Sequence, residues 1–203
     1  MTKRLLHNAQ VIDPEAGTIT RADIRIENGL ITQVSQSPLS ANPNEHSVDC
    51  HNKYLAPGII DIGVKVCEPG ERHKESFKSA GLAAAAGGIT TMVTRPDTTP
   101  AIDSPETLEF IARRANQATP VNVIPMAALT KGRNGREMSE IGFLMDAGAI
   151  AFTDCDHVVS NPKVFARALS YACALGALVI AHPQEPTLSK GAAATSGKFA
   201  SLR

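Results

Sequence analysis

Hydrophobic and polar positions fall into two regimes along the chain. Through residue 56 the apolar residues come in short alternating stretches, Leu5 to Ala9, Ala22 to Ile26 and Leu30 to Val34, the last two separated by Asn28-Gly29. Alternation puts successive side chains on opposite faces of a strand, and Asn-Gly between two such runs marks a two-residue hairpin. Residues 1–56 therefore read as a small β-sheet, with the Ser-, Asn- and Pro-containing stretch from Pro38 to Glu45 as its surface loop. From Pro57 onward, apolar runs alternate with segments of helical period. Strands are predicted over 58–66, 89–95, 121–128, 149–154 and 177–182, so that successive starts lie 31, 32, 28 and 28 residues apart. That is the spacing of βα units, in which a buried strand returns through a crossover helix to a parallel neighbour.

The helices carry their own signals. Ser104 before Pro105 is an N-cap followed by proline at the first helical position, and Leu108, Ile111, Ala112 and Ala115 recur on one face. Asn161-Pro162 repeats the device ahead of Phe165, Ala168, Leu169 and Ala172. Gly148 and Gly176 stand where a helix stops and a strand begins, and Ala83-Ala84-Ala85-Ala86-Gly87-Gly88 closes the first helix in the same way. Five strands in this pattern fit either an open, flavodoxin-like sheet or the first part of a closed barrel, which needs eight strands and about 250 residues.

The chain of 203 residues is 43% hydrophobic, enough for one sizeable core, or for one domain plus an appendage. Twenty basic and twenty acidic residues cancel, so no global field points to nucleic acid or to an anionic membrane, and neither is expected as a partner. Cys50, Cys67, Cys155 and Cys173 are scattered without a paired spacing and read as reduced thiols of a cytoplasmic protein. The N-terminus has no apolar stretch of signal-peptide length, and the uncharged run from Ala168 to Gln184 is shorter than the ~20 residues a membrane span needs.

Candidate chemistry centres on the strand from Pro57 to Gly70, opened and closed by Pro-Gly. Strict alternation puts Ile60, Ile62, Val64 and Val66 on one face and Asp61, Gly63, Lys65 and Cys67 on the other. In a barrel the working groups sit at the carboxyl ends of strands and in the loops beyond them. Here those places are Gly63 to Cys67, Thr94 to Thr98, Leu129 to Gly132, Asp154 to His157 and His182 to Glu185.

Together with the run from His73 to Pro100, this strand resembles dihydroorotase, a zinc amidohydrolase family that interconverts carbamoyl aspartate and dihydroorotate. The family strand reads P-G-F-I-D-x-H-x-H-x-R-E-P-G, and the likeness extends over roughly residues 20–203. It implies an α/β fold: the N-terminal part of an amidohydrolase (β/α)8 TIM barrel, about five strands and truncated, over residues 57–203. Residues 1–56 would be the N-terminal half of a β-sandwich. It also implies a zinc cage built from two histidines of the first strand, an acidic residue after the fourth and later histidines.

Carried over position by position, Gly63 and Lys65 stand where the first two ligands belong, Asp154 matches the acidic ligand and His182 matches the histidine after the fifth strand. Cys67 replaces the arginine expected to hold the substrate carboxylate, and Arg95-Pro96-Asp97-Thr98-Thr99-Pro100 replaces the family's M-P-N-T-x-P. A catalytic zinc needs about three protein ligands. Asp154 and His182 alone are insufficient, so no metal cofactor is predicted and no residue is assigned to catalysis. Asp97 repels an anionic substrate unless Arg95 neutralises it. Lys65, paired with Asp97 or Asp154, is expected to replace the charge of the metal. Local readings stand beside these: Asp154 and Asp156 as caps of a loop, Cys155 and Cys173 as small buried residues, His182 as a hydrogen-bonded core histidine. Cys67, Cys155 and His182 also make a conceivable substitute ligand set.

The resemblance is strongest to inactive dihydroorotase homologues that associate with aspartate carbamoyltransferase, which implies an oligomeric, non-catalytic partner in pyrimidine biosynthesis. The alternatives are an active cyclic amidohydrolase of dihydroorotase, hydantoinase or allantoinase type with an altered metal site, and a non-functional truncated remnant.

Overall fold

The computed structural model describes residues 3–192 and divides the chain into two compact units, Met1–Gly58 and a second beginning at Ile59. Residues 193–203, counted with the second domain in the sequence reading, lie outside the described residues.

The first unit is a sheet of β1 (Lys3–Asp13), β2 (Thr18–Glu27), β3 (Leu30–Ser35), β4 (His46–Asp49) and β5 (Tyr54–Leu55). Its order is β3-β2-β1-β4, and β5 also pairs with β1. Asn28 and Gly29 both have positive φ, 53° and 81°, which is the geometry a tight hairpin turn needs between two strands of right-handed twist. Leu5, Ala9, Ala22 and Ile24 are buried. The loop from Pro38 to Glu45 is tied down by Arg25, whose guanidinium donates to Glu45 Oε1 at 2.8 Å and to the Ser40 carbonyl at 2.8 Å.

The second unit is α/β. Strands β6 (Ile59–Val64), β7 (Ile89–Thr94) and β8 (Asn122–Pro125) pair in parallel, as do β9 (Ala151–Phe152) and β10 (Leu178–Val179). An isolated parallel bridge between Ala127 and Phe152 links the three-stranded sheet β6-β7-β8 to the two-stranded sheet β9-β10, which places the five strands in chain order. The last three are shorter than their apolar runs predict. Pro125 has no N–H with which to continue the ladder, and beyond it only Ala127 pairs with the next strand.

Helices α1 (Phe77–Ala86), α2 (Pro105–Ala118), α3 (Ile141–Asp146), α4 (Pro162–Ala174) and the short α5 (Pro186–Ser189) separate or succeed the strands. The Ser104 hydroxyl accepts the Thr107 N–H, and the Asn161 carboxamide accepts the N–H groups of Lys163 and Val164, which satisfies amides that a helix start leaves without partners. The core lies between helices and sheet and includes Phe77, Met92, Leu108, Ile111, Leu144, Phe152 and Ala168.

Strict alternation fails along β6. Gly63 has φ +97°, and the pairing with β7 shifts register between Ile62 and Val64. An extra residue at such a bulge reverses the facing of the residues after it. Val64 and Val66 pack into the core, whereas Ile60 and Ile62 are exposed. The single apolar face expected for Ile60, Ile62, Val64 and Val66 is therefore split into two.

Candidate functional site

The loops at the carboxyl ends of the strands are held by a few local devices. Glu68, in the loop after β6, is buried. Its Oε2 accepts the Phe77 N–H at 2.9 Å at the start of α1, and its Oε1 accepts Arg114 Nε of α2 at 2.8 Å. Burial pushes the Glu68 carboxyl upward, but Arg114, the Phe77 N–H and Arg72 outweigh it and hold the group below its ordinary value. Two residues on, Gly70 has φ +105° and lies so close to Thr99 that a Cβ built on it would be 2.7 Å from Thr99 Cβ. The Glu-Pro-Gly and Thr-Thr-Pro segments are thus packed on each other, and the Thr99 N–H reaches the Pro69 carbonyl at 3.3 Å.

Four successive strand ends contribute charges, and these join into one chain. Lys65 after β6 lies 3.2 Å from Asp97 Oδ2, and Arg95 after β7 reaches the same oxygen at 2.9 Å. The same Arg95 guanidinium meets Asp156 Oδ1 at 3.2 Å, and Arg133, in the 3-10 turn Lys131–Arg133 after β8, meets that oxygen at 3.2 Å as well. Asp97 is the shielded member, with its side chain only 3% exposed. Two cations, Arg95 and Lys65, converge on its Oδ2, while its Oδ1 is buried without a hydrogen-bond partner.

Asp154 and His182, the two residues compared with metal ligands, have other partners. Asp154 is buried; its Oδ1 accepts the Thr130 N–H at 3.0 Å and its Oδ2 accepts the Thr130 hydroxyl. His182 is exposed rather than a core histidine, and its Nε2 lies 2.7 Å from Gln184 Oε1. Both line a cavity of about 330 Å³ with Leu129, His157 and Phe165. A neighbouring cavity of about 400 Å³ is walled by Ile62, Gly63, Arg95, Met126, Cys155, Asp156 and His182, and Cys67 does not reach it. Burial, and then the charge of Asp97, push the Cys155 thiol up against the pull of Arg95 and Arg133, so the thiolate that would bind a metal is disfavoured.

This donor set does not fit a catalytic zinc. Glycine supplies no ligand, the Lys65 ammonium repels a cation, and both oxygens of Asp154 are held by Thr130. Among the described residues no three of His, Cys, Asp and Glu are gathered as a metal would require.

Residues 52–202 match the family model described as "Dihydro-orotase-like". The chain belongs to the dihydroorotase-like family. It is 38% identical to a dihydroorotase of Geobacillus thermodenitrificans (strain NG80-2) over 186 residues, covering 92% of this chain and 44% of the relative. To a dihydroorotase of Syntrophus aciditrophicus (strain SB) it is 35% identical over 197 residues, covering 97% of this chain and 46% of the relative. The chain thus spans less than half the length of these dihydroorotases. Among solved structures, an L-hydantoinase (dihydropyrimidinase) of Arthrobacter aurescens matches with a TM-score of 0.81 at 21% identity, over 94% of this chain and 42% of that one. That likeness is one of fold.

Within the dihydroorotase-like frame, the sequence placed Lys65, Arg95 and Asp97 at altered positions, and the structure brings these three together. It leaves Cys67 apart, half-buried, its carbonyl accepting the Glu71 N–H at 2.8 Å. Arg133 and Thr130 were not singled out by sequence reasoning. The available signal was the turn-rich Lys131-Gly132-Arg133-Asn134-Gly135-Arg136 after a predicted strand, which places cations at a strand end without saying what they meet. Among the described residues no helix is long and apolar enough to cross a membrane.

Proposed function

We propose that this chain is a dihydroorotase-like scaffold that does not carry out dihydroorotase chemistry and that serves as a structural partner of aspartate carbamoyltransferase in a cytoplasmic assembly. The observation that carries the loss of catalysis is the Lys65–Asp97 pair beside Gly63. A side-chain ammonium is fixed to a carboxylate at the strand end where the family places metal-binding histidines. Dihydroorotase chemistry needs a metal to generate hydroxide near neutral pH and to polarise the ring carbonyl; a lysine paired to an aspartate supplies neither. The packing of Glu68 and Gly70 supports retention of the scaffold, since both hold the loops in place without any part in metal binding. The partner is inferred from likeness to inactive homologues of this kind.

The test is elemental analysis of the purified protein with a dihydroorotase assay run with and without added zinc, and then co-purification with aspartate carbamoyltransferase. Sub-stoichiometric metal, no turnover and a stable complex are expected. Stoichiometric zinc with turnover would overturn the loss of catalysis, and absence of a complex would overturn the partner.

A second reading, an active cyclic amidohydrolase with an altered metal site, draws on one observation: Asp154 and His182 line the same cavity. It requires Asp154 to leave Thr130, and it predicts metal-dependent turnover of dihydroorotate or a hydantoin in that assay.

A further inference from the structure

We propose that Arg95 and Arg133 form a binding site for a small carboxylate, and that Asp156 occupies it as a displaceable internal ligand. The two guanidiniums come from different strand ends and converge on a single oxygen, Asp156 Oδ1, each at 3.2 Å. Both are shielded, Arg133 to 12% side-chain exposure, whereas the Asp156 side chain is 68% exposed. The anion therefore lies on the solvent side of a pair of partly buried cations.

The fit of Asp156 is incomplete. Neither arginine is met by two parallel hydrogen bonds, the arrangement that makes guanidinium–carboxylate pairs strong and selective. Arg95 Nε is buried and has no hydrogen-bond partner. Arg133 spends its Nε on the Asp154 carbonyl at 3.3 Å, and among the described residues Asp156 is the carboxylate it pairs with. Asp156 is free to turn into solvent, and turning it outward leaves two partly buried guanidiniums short of an anion, which favours a replacement carboxylate.

Room exists on both sides. Asp156 lines the cavity of about 400 Å³ that holds Arg95, and also a second of about 480 Å³ walled by Arg133, Asn134 and His157. The first offers Ile62, Met126, Ile180 and Ala181 to a compact, partly apolar body. The ligand class is thus a small carboxylic acid whose carboxylate takes the place of Asp156. Arg95, Arg133 and Asp156 are not among the positions compared with metal ligands, although His182 also walls the first cavity, and the site does not depend on whether the chain catalyses anything.

The experiment is calorimetric titration of the full chain with succinate at constant ionic strength and with EDTA present, so that metal plays no part. The Asp156→Asn variant, altered only at an exposed side chain, is expected to bind succinate at least tenfold more tightly than the parent. In the Asp156→Asn background, Arg133→Gln and, separately, Arg95→Met should each abolish that gain. The arginine Nε–H resonances of Arg95 and Arg133 in the Asp156→Asn protein should move on titration with succinate and stay in place with an equal ionic strength of sodium chloride. No saturable binding by the folded Asp156→Asn protein, or a gain that survives Arg133→Gln, would overturn the proposal.

Discussion

Replacing Glu68 with glutamine tests whether the loop after β6 is held by a charge or only by shape. The two carboxylate oxygens face two different donors, the Phe77 N–H at 2.9 Å and Arg114 Nε at 2.8 Å. Glutamine has one acceptor oxygen and one NH2 group, so one of these donors must face another donor. Losing one charge-assisted hydrogen bond from a side chain only 8% exposed costs about 1.5–3 kcal/mol. Glu68→Ala, which leaves both donors without a partner, should cost about 3–5 kcal/mol. Arg72 is a control: its side chain is 66% exposed and its Nε lies 3.5 Å from the carboxylate, so Arg72→Ala should cost about 0.5 kcal/mol or less. The chain has no tryptophan, so urea unfolding is best monitored by circular dichroism at 222 nm. That signal reports the second unit, because the first has no described helix. The pH dependence has a definite sign. The folded carboxyl lies below its ordinary value of 4.5, so its contribution is complete above that pH and is lost as pH falls through the folded value. The stability difference between the parent and Glu68→Gln should accordingly be flat above about pH 5 and shrink below pH 4.5. A difference under about 0.5 kcal/mol at neutral pH, or one that grows on acidification, would refute the reasoning.

Two further substitutions probe the same loops. Gly70→Ala places a methyl group 2.7 Å from both Thr99 Cβ and the Thr99 carbonyl oxygen at φ +105°, so it should destabilise the second unit by about 2 kcal/mol or more in the same unfolding measurement. The double variant Gly63→His/Lys65→His should not yield stoichiometric zinc on elemental analysis, because Asp154 stays with Thr130 and residue 63 would carry a side chain at φ +97°.

The parts of this fold legible in the sequence are those set by neighbours along the chain. Ser104-Pro105 and Asn161-Pro162 start helices because a side chain bonds amides two or three residues on, and Asn28-Gly29 turns because both residues tolerate positive φ. The hidden parts are non-local. Asp154 reads as a ligand or a cap, yet its partner is Thr130, 24 residues away on another strand end. Arg133 and Arg95 gain meaning only when β7, β8 and β9 are side by side, 23 and 61 residues from Asp156 in sequence. The bulge at Gly63 was concealed for a different reason: an alternating run of isoleucine and valine looks the same whether or not the backbone inserts an extra residue, and only the register with β7 shows it.

That bulge bears on how such a chain could change over generations. A backbone settled at φ +97° accepts glycine freely and charges any other residue about 1–2 kcal/mol. A histidine placed at 63 alone would meet that penalty beside the Lys65 ammonium, which repels a cation. One torsion angle thus makes position 63 costly for any residue with a side chain, whatever chemistry that side chain would bring.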